Sequence, residues 1–138
     1  TGDRDGALKA AHEAVAIYRR LAEANAAAYE PALAMSVNNL ANFLSETGDR
    51  DGALKAAHEA VAIRRSLAQA SPAAYGPDLA QSLCVLATAL GADGQTDAAR
   101  DAAAEAVTLL TPLAAQWPDA FGGFLDFAKT LFAGIDAA

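Results

Sequence analysis

The sequence predicts an all-α protein in which helices stack as a repeat array. Residues 1–17 read TGDRDGALKAAHEAVAI, and residues 47–63 repeat that stretch letter for letter, a step of 46 residues. A third and more divergent copy follows at the same step, with Gly94 matching Gly48. Alanine is abundant and only 7% of the chain is aromatic, a composition that favours helix. A unit of this period cannot bury its apolar face alone, so the units must stack on one another.

The first 46-residue step contains two predicted helices. Helix 1 is predicted within residues 3–25, with Asp3 as its N-cap, and helix 2 is predicted over residues 32–46, ending at Gly48. Helix 1 carries two apolar rows, which suits a helix in contact with neighbours on two sides. The first row is Ala7, Ala10, Ala11, Ala14, Ile17 and Leu21, and the second is Leu8, Val15 and Tyr18. Helix 2 turns Leu33, Val37, Leu40, Ala41 and Leu44 to one face.

The next two helices repeat this pattern and the last two depart from it. Helix 3 is predicted over 50–70, and helix 4 over 78–92, with Leu79, Leu83, Leu86, Ala87 and Leu90 facing inward. Helix 5, over 96–116, contains Pro112, so a kink or an early break is expected near 109–111. Helix 6, within 123–136, has Lys129 and Asp136 where helices 2 and 4 have inward apolar residues.

Three similar connectors are predicted between paired helices, at residues 25–31, 71–77 and 117–123. Each holds one aromatic residue, which we interpret as filling the gap where the chain turns. These residues are Tyr29, Tyr75 and Phe121. Pro31 and Pro77 suit the first turn of the following helix, where a missing N–H costs little.

Charge and composition exclude several classes of partner. The net charge of −7 argues against nucleic acid and against anionic membrane surfaces, because both select clustered Lys and Arg. No apolar run approaches the roughly 18 residues of a membrane span. A single cysteine, Cys84, excludes an internal disulfide and fits a reducing, cytoplasmic compartment. The first residue, Thr1, suggests a fragment of a longer protein.

No set of residues predicts catalysis, a metal or a cofactor. His12 and His58 occupy the same repeat position, but stacked helices lie about 8–10 Å apart, too far for two imidazoles to complete a zinc site. Both are therefore expected on the surface. Cys84 has no histidine close to it in the predicted stack, so we interpret it as a small apolar residue. The sequence thus predicts a protein that is not an enzyme.

The pattern of small and large residues resembles the tetratricopeptide repeat. The matching residues are Leu40, Ala41, Leu44, Gly48, Ala53, Ala57 and Ala60, and then Leu86, Ala87, Leu90, Gly94, Ala99, Ala103 and Ala106. The 46-residue step is longer than the usual repeat of about 34 residues. It is similar to the long variant in kinesin light chains and bacterial multidomain regulators. The resemblance implies a right-handed superhelix with full repeats at 32–70 and 78–116, an orphan helix at 3–25 and a capping helix at 123–136.

The resemblance also implies where a partner binds. In this family the first helix of each repeat lines a concave groove for a peptide or helix, which selects Met35, Asn38, Asn42, Ser45, Gln81, Cys84 and Thr88. Asn38 has a second interpretation, in which it is solvated or satisfies a neighbouring helix end. No Lys or Arg stands in this row, so a clamp for a terminal carboxylate is disfavoured.

Two functions follow from these expectations. The first is a scaffold that binds a peptide or helix of another protein in the groove. The second is a self-association or spacer element that stacks through its end helices, because helix 1 leaves an apolar row bare and helix 6 is widely apolar. The residues of helix 6 that would self-associate are Phe124, Phe127, Leu131 and Phe132. Alternatively, helix 6 is a plug that covers helix 5 and turns Lys129 and Asp136 to water.

Overall fold

The protein's structure is a computed structural model that describes residues 2–137, and the side chains of residues 3–135. Six helices and no strands occupy this part of the chain. They are α1 (Gly2–Ala24), α2 (Ala26–Thr47), α3 (Arg50–Ala70), α4 (Pro72–Ala92), α5 (Thr96–Gln116) and α6 (Pro118–Ala137). The side chain of Asp136, predicted to face water, lies outside the described residues.

Each helix packs against the next one in the chain, which confirms the predicted all-α solenoid. The even-numbered helices also approach one another, since α2 contacts α4 and α4 contacts α6. Within residues 2–137, no backbone contact of this kind joins α1 to α3 or α3 to α5. The stack is therefore tighter along its even-numbered helices, and these helices form its inner side. The right-handed twist of the superhelix stays a prediction.

The core combines leucines from the even-numbered helices with alanines from the odd-numbered ones. All ten inward residues predicted for helices 2 and 4 are buried, from Leu33 to Leu90. The alanines that face them belong to α3 and α5, and they are Ala53, Ala56, Ala57, Ala60, Ala99, Ala102, Ala103 and Ala106. The small alanines allow close helix contact, and each leucine removed from water contributes about 1.5–3 kcal/mol.

The predicted helix ends at the repeat boundary are confirmed. Gly48 has φ 86°, a left-handed conformation that favours glycine, and its N–H reaches the carbonyls of Leu44 and Ser45. Gly94 has φ 81° one repeat later. At the start of α3, the side chain of Asp49 accepts a 2.9 Å hydrogen bond from the N–H of Gly52. In contrast, α1 begins at Gly2, so the predicted N-cap role of Asp3 is wrong, and Asp3 lies in the first turn.

The predicted connectors are wrong, because most of their residues are helical. Helices α2, α4 and α6 begin after the single residues Asn25, Ser71 and Trp117. Asn25 caps α2 by accepting a hydrogen bond from the N–H of Ala28 at 3.3 Å, and the alanines that follow favour helix. Pro31 and Pro77 therefore lie inside α2 and α4, beyond the first turn in which they were predicted.

The three aromatic residues of the predicted connectors lie on helices and are half-buried. Tyr29 is on α2, Tyr75 on α4 and Phe121 on α6. Phe121 packs against the core and meets Trp117 edge to face, with ring centroids 6.3 Å apart. These rings therefore belong to the helical stack itself.

Helix α5 runs unbroken through Pro112, so the predicted break near 109–111 is wrong. Pro112 is exposed, and so is Thr108, the residue whose carbonyl would have accepted the missing N–H bond. Water can satisfy that carbonyl. The proline ring therefore removes one helical hydrogen bond at an exposed position, where the cost in stability is small.

Helix α6 packs on α5 and also contacts α4. Its buried residues are Leu125 and Ala128, and Lys129 is exposed. The half-buried residues that pack against the core are Phe121, Phe124, Leu131, Phe132 and Ile135. Helix α6 thus turns a different face to the stack than α2 and α4 do, which removes Lys129 from the core. Its role as a cap stays a prediction.

Candidate functional site

A groove of about 580 Å³ lies between α2, α4 and α6, on the inner side of the stack. Its lining residues are Asn42, Ser45, Pro77, Asp78, Gln81, Cys84, Val85, Thr88, Phe124 and Phe127. Five of the seven groove residues predicted from the sequence line it: Asn42, Ser45, Gln81, Cys84 and Thr88. The structure therefore brings most of the predicted site together.

The other two predicted groove residues lie elsewhere. Asn38 is only 3% exposed, and its Oδ1 accepts a 3.0 Å hydrogen bond from the hydroxyl of Ser82. Its predicted position on the groove wall is wrong, because the packing of α2 against α4 buries it. Met35 is 58% exposed, but it lines a separate cavity beside Tyr18 and Pro31. That cavity lies between α1, α2, α3 and α4, and although it shares Asp78 with the groove, Met35 does not line the groove.

A buried arginine connects the groove to the core. Arg64 on α3 is 4% exposed, and its Nη1 donates to the carbonyl of Asp78 at 3.2 Å, to Gln81 Oε1 at 2.9 Å and to Ser82 Oγ at 2.9 Å. Burial lowers the pKa of Arg64, and the nearby Asp78 carboxylate partly offsets this effect. Together with the Ser82–Asn38 bond, these contacts tie α2, α3 and α4 into one polar network.

Sequence reasoning missed Arg64, although a signal was present. The two identical copies stop matching at this position, where the first copy has Tyr18 and the second has Arg64. A change from an aromatic residue to a cation, directly after 17 identical residues, marks a position with a different environment. Ser82, which bridges Arg64 and Asn38, gives no such signal, because a serine, Ser36, also stands at the equivalent position one repeat earlier.

The polar residues of the groove offer both donors and acceptors. Asn42 and Ser45 are exposed, and their side chains have no hydrogen-bond partner among the described residues. Gln81 uses Oε1 to accept from Arg64, which leaves its Nε2 as a donor. The hydroxyl of Thr88 donates to the carbonyl of Cys84 at 3.0 Å, so its oxygen lone pairs can accept. The groove therefore presents both hydrogen-bond donors and hydrogen-bond acceptors on its surface.

Asp78 is the charged side chain that lines the groove in the described part of the chain, and no Lys or Arg lines it. A carboxylate ligand would meet a like charge there and find no cation. The geometry thus agrees with the sequence in disfavouring a carboxylate clamp.

Two phenylalanines form the apolar wall of the groove. Phe124 is half-buried, and Phe127 is 57% exposed. Both were predicted as self-association residues of helix 6, and both line the groove; their role in self-association stays a prediction. Leu131 and Phe132, the other two residues of that prediction, are half-buried against the core. Sequence reasoning treated helix 6 as separate from the groove and so missed this wall.

Cys84 lines the groove but is largely buried within α4. Removal of the thiol from water raises its pKa to about 11. The thiol is therefore protonated at neutral pH, and its part in the groove is apolar contact.

Metal-binding groups and membrane-spanning helices also bear on function. His12 and His58 are both exposed, as predicted. No group of three metal-ligating residues comes together within residues 2–137. In the same part of the chain, no helix combines the length and the apolar character that crossing a bilayer requires.

The stacked helix pairs and the inner groove define a helical-repeat scaffold. Residues 33–71, which span most of α2 and all of α3, match the family model of the tetratricopeptide repeat. These residues are therefore similar to a tetratricopeptide repeat, a repeat that generally mediates protein–protein interaction. No curated protein and no solved structure matches the chain significantly.

Proposed function

We propose that the groove between α2, α4 and α6 binds a peptide or a helix of a partner protein. The observation that carries this proposal is the exposed ring of Phe127, which lines a groove of about 580 Å³ together with the side-chain amides of Asn42 and Gln81. Exposed aromatic side chains in a concave site are typical binding anchors. The amides of Asn42 and Gln81 add the hydrogen bonds that fix a peptide backbone.

The groove's chemistry selects the class of peptide. Phe124, Phe127 and Val85 favour an apolar or aromatic side chain in the partner. Asp78 at the same surface favours a neutral or basic residue beside that anchor and disfavours an acidic one. We therefore expect an apolar anchor flanked by neutral or basic residues. The free thiol of Cys84 agrees with a reducing, cytoplasmic location, where the domain would serve a larger regulator.

Display selection followed by affinity measurement tests this proposal. Peptides are selected from a random library on the 138-residue chain, and their affinities are measured by fluorescence polarisation. Phe127→Ala and Asn42→Ala should each weaken the selected peptides by about tenfold or more, because each removes a central contact.

Two control variants match these changes outside the groove. Met35 is 58% exposed, close to the 57% of Phe127, and Asn39 is an exposed asparagine on the same helix as Asn42. Met35→Ala and Asn39→Ala should leave affinity unchanged. Peptides that bind the double variant Phe127→Ala/Asn42→Ala as tightly as the original chain would show that the groove is not the site.

Self-association through the end helices is the second candidate, and one observation favours it. Ile17 and Leu21 on α1 are exposed, at 52% and 36%. The α6 end gives it less support, because Leu131 and Phe132 already pack against this chain's own core. Sedimentation velocity over a wide concentration range distinguishes the two functions, since a chain that acts by self-association must form oligomers.

A further inference from the structure

One polar cluster belongs to the middle repeat alone. Arg64 on α3 contacts two residues of α4, since its Nη1 donates to the carbonyl of Asp78 at 3.2 Å and to Gln81 Oε1 at 2.9 Å. At the equivalent positions 46 residues earlier and 46 residues later, no charged or amide side chain is present. The three positions therefore differ together, which indicates one polar feature of the groove. The residues at these positions are Tyr18, Ala32 and Met35 in the earlier repeat, and Leu110, Phe124 and Phe127 in the later one.

Arg64 fixes the orientation of the Gln81 amide. A guanidinium carries donors only, so the amide atom that faces Arg64 Nη1 must be the oxygen of Gln81. Arg64 is itself held in place, because it is 4% exposed and also donates to Ser82 Oγ at 2.9 Å. Gln81 is exposed, and its Nε2 has no hydrogen-bond partner among the described residues. This amino group is therefore a donor that a ligand in the groove can use.

Asp78 provides an acceptor beside this donor. Asp78 and Gln81 both line the groove and are three residues apart on α4. Side chains at this spacing are neighbours on one helix face, with about 5–6 Å between their Cβ atoms. The carboxylate of Asp78 accepts no hydrogen bond from the described residues. The groove thus presents a donor and an acceptor side by side.

The charge of Asp78 is compensated by the arginine behind it. Asp78 and the buried Arg64 are close enough to interact electrostatically. Because their charges are opposite, the two residues together carry no net charge, and they attract a cationic ligand less strongly than an isolated carboxylate does. A neutral ligand group with both hydrogen-bond functions suits this place better than a charged one.

A primary carboxamide has the functions that this place requires. The side chains of asparagine and glutamine carry a C=O and an NH2 side by side, so one group can accept from Gln81 Nε2 and donate to the carboxylate of Asp78. A trans peptide unit of the backbone holds its C=O and its N–H on opposite sides. A carboxylate has no donor for Asp78, and an ammonium group has no acceptor for Gln81.

We propose that Asp78 and Gln81 form a subsite for the side-chain carboxamide of an asparagine or glutamine in the partner, and that Arg64 is the positioning residue of this subsite. This inference rests on the proposed function, since it places a carboxamide beside the apolar anchor that Phe127 contacts. Gln81 then binds a side chain of the partner, and Asn42 remains available to its backbone.

Substituted peptides test the subsite. Peptides selected from the random library on the 138-residue chain should carry asparagine or glutamine at one fixed distance from the apolar anchor. In synthetic forms of a selected peptide, Glu in place of Gln, or Asp in place of Asn, should weaken binding by about tenfold or more, because Asp78 then faces a like charge and loses its donor. Lysine at this position should also bind more weakly than the carboxamide. Fluorescence polarisation measures these affinities.

Gln81→Glu should reverse this preference. The new carboxylate keeps an oxygen toward Arg64, but it presents the groove with an acceptor where Gln81 presents a donor. The variant should bind the lysine form of the peptide more tightly than the carboxamide form, with a Tm no lower than that of the original chain. Gln69→Glu is the matched control, because Gln69 is an exposed glutamine on α3 that does not line the groove. It should leave the preference unchanged.

The role of Arg64 can be measured without a peptide. Nitrogen-15 relaxation of the side-chain NH2 groups should give Gln81 an order parameter above about 0.6 and the exposed Gln69 a lower one. Arg64→Leu should lower the order parameter of Gln81 to that of Gln69 and reduce the discrimination between the carboxamide and acidic peptides. Gln81→Glu keeps the buried contacts of Arg64, so it tests the subsite even if Arg64→Leu does not fold.

Failure of the subsite and failure of the proposed function give different results. Peptides that Phe127→Ala weakens, but that lack a carboxamide or bind equally well with an acid in its place, would overturn the subsite and leave the groove as the binding site. Tighter binding of the lysine form by the original chain would also overturn the subsite. A Gln81 amide as mobile as that of Gln69 would overturn the positioning by Arg64. Selected peptides unaffected by Phe127→Ala, or no selected peptides, would overturn the proposed function and this inference with it.

Discussion

The buried network around Arg64 gives the sharpest prediction for stability. Ser82 is the central residue, because its hydroxyl accepts from Arg64 and donates to Asn38. Ser82→Ala removes both bonds and leaves the Oδ1 of Asn38 without its donor in a position that is 3% exposed. Arg64 keeps two of its three acceptors, the carbonyl of Asp78 and Gln81 Oε1.

The size of the effect follows from these contacts. An unsatisfied buried acceptor costs about 1–3 kcal/mol, and the serine-to-alanine change returns about 0.5 kcal/mol through helix propensity. Ser36→Ala is the matched control, because Ser36 holds the same position one repeat earlier and its hydroxyl has no hydrogen-bond partner among the described residues. The gain in helix propensity is the same in both variants. The difference between their free energies of unfolding therefore measures the contribution of the network, which we expect to be about 1–3 kcal/mol.

Thermal and urea unfolding measure this difference. At about 4 °C per kcal/mol for a chain of this length, Ser82→Ala should melt about 4–12 °C below Ser36→Ala. In a double-mutant cycle, Asn38→Ala and Ser82→Ala should cost less together than the sum of the two. Equal Tm values for Ser82→Ala and Ser36→Ala would refute the network as a stabilising contact.

Two further predictions concern a glycine and the thiol. Gly48→Ala forces an alanine to φ 86° and should lower the free energy of unfolding, measured with urea, by about 1–2 kcal/mol. Gly123→Ala, in an exposed part of α6, should raise it by about 0.5–1 kcal/mol. An unchanged free energy of unfolding for Gly48→Ala would contradict the left-handed cap. The raised pKa of Cys84, about 11 against 9.0, means that burial favours the protonated thiol, so its contribution to stability is complete below pH 9 and is lost as the pH rises to 11. The stability of the original chain relative to Cys84→Ala should fall across that range, and a constant difference would exclude the shift.

The helical stack could be predicted because its determinants are local and repeated. Leu40, Leu44 and Gly48 recur one repeat later as Leu86, Leu90 and Gly94, and the structure buries or caps each in the same way. Exact repetition fixes the period, and the period requires stacking. Once α2 and α4 were assigned to the inner side of the stack, helical spacing correctly predicted five residues that line the groove.

The helix starts could not be predicted, because two local signals conflicted. Pro31 and Tyr29 suggested a turn, while the alanines between Asn25 and Tyr29 favoured helix. The cap at Asn25 decided the outcome, and its hydrogen bond is visible only in three dimensions. Proline inside the second turn was tolerated because one missing bond costs less than a lost turn of helix.

The errors in the groove had a different cause. Asn38 was placed on the wall because helical spacing gives the direction of a side chain but not its distance from the next helix. The contact with Ser82 and Arg64 joins three helices, and no period in the sequence encodes it. The wall formed by Phe127 was missed because α6 presents a different face from α2 and α4, which its divergent sequence does not reveal.

The central claim is that each inner helix is held by the helix before it and the helix after it in the stack. Amide hydrogen exchange measured by NMR tests it directly, because residues 7–14 and 53–60 have the same sequence and thus the same intrinsic exchange rates. The stack predicts slower exchange in residues 53–60, where α3 has a helix on each side. Equal protection of the two stretches, or greater protection of residues 7–14, would contradict it.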